Sequence, residues 1–231
     1  MTDSKDYEEY LAFLKKNSSE CYRFLDNFLI NVTEFFRDRE VFDHLKRKIL
    51  PDLLRKIEAE KKKGLRIWSI ACSKGQEPYS LAMILDEITK RKKRNVEISI
   101  LATDVSRPAL RQAKRGCYKK TEIKNIPKRH LNKYFIKQEN NEFKVRERIK
   151  KIVRFKFHDL IRGKTPGTFH LILCRNLLIF VTAKQQCRMF KKIHTSLKKE
   201  GILILGKSES PKDERLFQCL SSQNRIYRKT L

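Results

Sequence analysis

Apolar residues recur along this chain with two different periods, and the change of period divides it. Tyr7, Tyr10, Leu11 and Leu14 are spaced as one face of a helix. After Asn17-Ser18-Ser19 the spacing resumes with Cys21, Phe24, Leu25, Phe28 and Leu29, so the N-terminus predicts two short amphipathic helices. Val41, Phe42, Leu45 and Ile49 predict another. Pro51 either kinks that helix or opens a new one carrying Leu53, Leu54 and Ile57, which ends near Gly64.

From Leu65 the apolar residues gather into short unbroken runs. LRIWSIA, VEISILATD, FHLILCR (169–175) and GILILG (201–206) each suit a strand buried on both faces. Helical patterns separate them: one from Pro78 to Lys90, and one capped by Ser106 with Pro108 in its first turn and Gly116 just beyond its end. A third runs from about Thr182 to Lys198. Strands alternating with helices in this way predict an α/β fold, a parallel sheet with helices on both faces. One segment breaks the alternation. FIKQENNEFKV reads as a hairpin turning at Asn140-Asn141, with IVRFKF as a third strand, giving a small antiparallel and very basic insert at about 134–157. The expected division is a short helical segment over 1–30, a linker with helices over 31–64, and the α/β domain over 65–231.

Composition narrows the picture. At 231 residues and 40% apolar, the chain can bury one substantial core. No run approaches the length of a membrane span, and MTDSKDYEEYLAFLKK lacks the order of a signal peptide, so a soluble cytoplasmic protein is expected. The six cysteines form no C-x-x-C pair and no His lies at zinc-ligand spacing from one, so they read as reduced thiols and no structural metal is expected. The net charge of +27 steers the protein toward acidic partners, whether nucleic acid, anionic membrane or acidic protein. It is concentrated between Arg107 and Lys164, whereas Lys61-Lys62-Lys63 and the run from Lys90 to Arg94 fall at helix ends. No long apolar surface stripe remains once the core is assigned, which predicts a monomer.

In an open parallel sheet, ligands bind beyond the carboxyl ends of the strands, where strand order reverses. After the first strand comes Ala71-Cys72-Ser73-Lys74-Gly75-Gln76-Glu77, a turn into a helix that matches G-x-G-x-x-G poorly. Asp104 ends the second strand, as a partner for ribose hydroxyls or as an ordinary loop aspartate. Asp159-Leu160 and Arg175-Asn176 follow later strands. Four polar strand ends on one edge point to a small-molecule site.

Asn31-Val32-Thr33-Glu34-Phe35-Phe36-Arg37-Asp38 resembles the N-x-T-x-F-F-R signature of CheR-type chemotaxis receptor methyltransferases. The run from Trp68 to Ser80 is similar to that family's cofactor loop. Ala102-Thr103-Asp104-Val105, Phe157-His158-Asp159-Leu160, Leu173-Cys174-Arg175-Asn176 and Gly206-Lys207-Ser208-Glu209-Ser210 follow in the family's order, so the resemblance covers Tyr7 to Arg228. It implies a Rossmann-like methyltransferase sheet, S-adenosylmethionine as cofactor, and transfer of its methyl group to glutamates on the cytoplasmic helical bundle of a methyl-accepting receptor. Carried over by position, Asn31, Thr33 and Arg37 reach the cofactor pocket from the linker. Glu77 and Asp104 hold its amino-acid and ribose parts, and Asp159, Leu160, Arg175 and Asn176 complete the pocket. Arg37 is the expected catalytic residue, orienting the substrate carboxylate. Phe180 stands where the family places a tyrosine, and only the last two helices of the family's longer N-terminal domain are expected. The rival readings are a silent cofactor-binding module and a nucleic-acid methyltransferase. The second lacks aromatic residues placed to stack a flipped base and an N-P-P-Y type run.

Overall fold

The computed structural model describes residues 6–17, 19–21, 24, 33–60, 64–92, 94 and 96–230, the side chain of Phe180 excepted. Seven strands form the main sheet. β1 (Gly64–Ile70), β2 (Glu97–Asp104), β6 (Val153–Phe157), β7 (Phe169–Cys174) and β8 (Leu197–Leu205) run parallel. β9 (Phe217–Ser221) and β10 (Ile226–Lys229) close one side antiparallel, in the order β6-β2-β1-β7-β8-β10-β9. The four apolar runs become β1, β2, β7 and β8, each buried over most of its length. Successive residues serve opposite faces. Ile67, Ala102 and Leu171 join the core under helices Leu50–Ala59, Gln76–Arg91 and Arg107–Arg115, whereas Trp68, Leu101 and Ile172 pack with Met189, Phe190 and Ile193 of helix Ala183–Ser196.

Local chemistry sets the helix ends. Ser106 Oγ accepts from Ala109 N at 3.2 Å, and Gly116 ends that helix at φ 68°. Pro51 neither breaks the third predicted helix nor starts a separate one. Helix Arg39–His44 widens into a π-turn over Leu45–Ile49 and continues as Leu50–Ala59. Pro51 has no N–H to give to the preceding turn, and the widened turn absorbs that loss without a break. Helix Tyr7–Lys16 forms as expected, with Asp6 accepting from Glu9 N at 2.8 Å. The second N-terminal helix falls largely outside the described residues.

The insert departs from expectation in one strand. β4 (Phe135–Lys137) and β5 (Glu142–Val145) form the hairpin, with Asn141 at φ 60° in its turn. IVRFKF instead becomes β6, paired in parallel with β2 at the edge of the main sheet, and β3 (Cys117–Lys119) takes its place beside β5. In β6, Val153 and Phe155 are buried while Arg154 and Lys156 are exposed, and an edge strand covered on one face shares that alternation with an antiparallel strand. The insert covers the outer side of helix Gln76–Arg91. Tyr134 Oη donates to Met83 O of that helix at 3.1 Å, and Tyr118 Oη on β3 donates to Lys74 O in the turn before it at 2.6 Å. No helix among the described residues is long and apolar enough to cross a membrane.

Candidate cofactor and catalytic site

Strand order reverses between β1 and β7, so the carboxyl ends of these strands border the crevice where an open sheet binds ligands. The chain turns sharply out of β1, with Ala71, Ser73 and Gly75 all at positive φ. Gly75 sits at φ +91°, and a Cβ there would lie 3.0 Å from both Ala113 Cβ and the Phe155 ring, so only glycine lets the turn pass. Asp104 closes β2 and is buried. Its Oδ2 accepts from Ser73 N at 2.7 Å and its Oδ1 from Ser106 N at 2.8 Å, which ties the β1 and β2 turns together.

Arg175, at the end of β7, is the hub. Its Nη1 donates to Glu77 Oε2 at 3.2 Å, while Nη2 donates to the Arg37 carbonyl at 3.1 Å and to the Asp38 carboxylate. Ser69 Oγ donates to the other Glu77 oxygen at 2.8 Å. Glu77 is thus fixed from both sides. Burial pushes its carboxyl above the ordinary value, and Arg175, Ser69 and the nearby charge of Arg37 offset that only in part. The linker is held by its main chain as well: Phe36 N donates to Ser80 Oγ at 3.0 Å, and Asp38 lies 3.6 Å from Lys207. Asn176, at φ 60°, is pinned by Glu209. That buried carboxylate accepts from Asn176 N at 2.9 Å, Gly206 N at 2.7 Å and Leu178 N at 2.7 Å. Gly206 admits the arrangement because a Cβ there would lie 2.7 Å from Glu209 Oε2.

A model of the CheR methyltransferase, SAM binding domain, matches residues 31–226. The chain belongs to the CheR methyltransferase family. Relatives include the chemotaxis protein methyltransferase of Borreliella burgdorferi, 38% identical over 210 residues that cover 89% of this chain and 74% of that protein. The Listeria monocytogenes protein of the same name is 32% identical over 225 residues, covering 97% and 82%. Chemotaxis protein methyltransferase 1 of Pseudomonas aeruginosa is 36% identical over 212 residues, covering 88% and 76%.

In this CheR domain, Glu77, Arg175 and the Arg37 main chain are joined by hydrogen bonds, while Asp104 and Asn176 stand at neighbouring strand ends on the same edge of the sheet. Thr33 lies half-buried at the start of the described linker, and Asn31 falls outside the described residues. Asp159 and Leu160 stand farther along the same edge. Asp159 Oδ1 accepts from Ile161 N and Arg162 N, and Leu160 is buried against the core that includes Trp68. Arg175, expected as a pocket wall, serves as the brace that joins strand, helix and linker. Three contributors escaped sequence reasoning in their roles: Asp38, Ser69 and Glu209. Asp38 and Glu209 lie within the family motifs, but Asp38 meets Arg175 over a hundred residues away and Glu209 meets Asn176 and Leu178 over thirty residues away, and nothing local announces such contacts.

The residues suit S-adenosylmethionine. Buried Asp104 stands at the carboxyl end of β2 and shapes the turns on either side of it. Among the described residues, the buried atoms Gln76 Oε1 and Arg175 Nε have no hydrogen-bond partner, which leaves polar capacity for a ligand with ammonium, carboxylate and hydroxyl groups.

Proposed function

We propose that this chain transfers a methyl group from S-adenosylmethionine to glutamate side chains of chemotaxis receptors, forming methyl esters. The observation that carries this reading is the Arg175 brace, which fixes the Arg37 main chain beside half-buried Glu77 at the switch point of the sheet. The cofactor supplies a methyl group on a positively charged sulfur. Glu77 and Asp104, with Thr33, would hold its amino-acid and ribose parts. Arg37, mounted on that anchored main chain, would grip both oxygens of the substrate carboxylate and aim one of them. No proton needs removal, because a glutamate is already ionised at neutral pH. Attack by an anion on a cationic group cancels charge, so the gain comes from alignment and the exclusion of water, which a braced linker provides.

The partner that fits is the acidic helical bundle of a receptor's cytoplasmic part, met by a monomer whose +27 charge raises the rate of encounter. The test is transfer of radiolabelled methyl from S-adenosylmethionine to receptor cytoplasmic fragments. Label that enters the receptor, is released by mild base as an ester should be, and falls on Arg37→Ala supports the assignment. Cofactor binding without any transfer would instead make the chain a binding module.

A further inference from the structure

Lys192 lies on helix Ala183–Ser196, outside every motif named above, yet its ammonium group is fully committed. It donates to the carbonyl oxygens of Leu160 at 3.1 Å, Ile161 at 2.6 Å and Gly163 at 2.9 Å. An ammonium has three N–H bonds, and all three go to one turn. Within that turn Asp159 Oδ1 accepts from Ile161 N at 2.8 Å and Arg162 N at 3.0 Å, while Gly163 N donates back to Asp159 O at 2.7 Å. The segment is a single tight turn, and the carbonyls of Leu160, Ile161 and Gly163 converge on the ammonium group. Such a cluster carries partial negative charge, and a cation there completes it.

The strand order says what this turn faces. Along the carboxyl edge the polar groups run from Arg175 on β7, through Glu77 after β1 and Asp104 on β2, to Asp159 after β6. A cofactor with its amino-acid end at Glu77 and its ribose at Asp104 has only the β6 side left for its base. We propose that Lys192 is a positioning residue for the cofactor: it locks the Asp159–Gly163 turn in the shape that receives the adenine. This rests on the S-adenosylmethionine reading of the site.

The test titrates S-adenosylhomocysteine and its hypoxanthine counterpart calorimetrically into wild-type protein and the Lys192→Met, Lys192→Gln and Lys192→Arg variants. Loss of charge-assisted bonds in the Met and Gln variants should weaken adenine-cofactor binding at least about tenfold and narrow the preference for adenine over hypoxanthine. Lys192→Arg, which keeps the charge and the donors, should stay within about threefold of wild type. Unchanged affinity, or an equal loss for both ligands with the preference intact, would overturn the proposal while the cofactor reading stands. Wild-type protein that binds neither ligand would overturn both. Should Lys192→Met fail to fold, the Gln and Arg variants give the same comparison.

Discussion

Replacing Glu209 by glutamine removes one charge and one acceptor from a carboxylate whose oxygens take three backbone N–H groups. The amide oxygen can keep the pair from Asn176 and Gly206, which leaves the side-chain NH2 group facing the N–H of Leu178. One charge-assisted bond is lost and two buried donors oppose each other, at a cost of about 2–4 kcal/mol. Alanine would orphan all three donors, a large share of the ~5–15 kcal/mol that holds a typical domain together, so glutamine is the cleaner change. The chain's single tryptophan, Trp68, is fully buried and donates to Thr103 Oγ1 at 2.9 Å, so its fluorescence reports the sheet's integrity. With a urea slope of about 3 kcal/mol per molar, the unfolding midpoint should fall by about 1 M with the slope unchanged. Cofactor affinity should fall with it, because Asn176 loses its anchor. A variant whose midpoint and cofactor affinity both match wild type would show that Glu209 does not brace this turn.

Other outcomes follow from the same geometry. Gly75→Ala forces a side chain into a positive φ against Ala113 and Phe155, and should cost about 1–3 kcal/mol in urea unfolding while weakening cofactor binding. Burial holds the imidazoles of His44, His130, His158 and His194 below the ordinary value of 6.5, so the unfolded chain binds more protons than the folded one just below that pH. Stability should therefore fall as pH drops from about 7 to about 5, and His130→Gln should flatten part of that slope in thermal melts; a slope of opposite sign would contradict the burial argument. Phe180→Tyr restores the hydroxyl found in the family pattern and should raise turnover several-fold, about 1 kcal/mol of barrier, with cofactor affinity unchanged in a methyl-transfer assay.

The strands and helices that were legible in the sequence are those whose signals are local. Buried runs gave β1, β2, β7 and β8, Ser106 and Gly116 bounded their helix, and the apolar spacing from about Thr182 placed the last one. β6 was assigned to the wrong sheet because one-sided burial does not state which neighbour covers it. β9 escaped notice because Gln218, Cys219 and Leu220 are exposed, and β10 because only Ile226 and Tyr227 of its four residues are buried, leaving no apolar run to read. At the site, Arg37, Glu77, Asp104, Arg175 and Asn176 were named through motif order, and the hydrogen bonds of Arg175 join Glu77 to the Arg37 main chain. The bracing by Asp38, Glu209 and Lys192 depends on which loops meet across the sheet edge, and that is decided by long-range pairing.

That pairing also sets an order of events. β1 lies beside β7, roughly a hundred residues later in the chain, so the centre of the sheet closes only when a long loop of chain is brought back across it. Until then Glu77 and Asp104 exist without Arg175, and the crevice has one wall. A chain halted before Phe169 would lack Arg175 and Asn176 and so have no brace between Glu77 and the linker. Completion of the pocket is thereby tied to this long-range pairing, which brings Arg175 to Glu77.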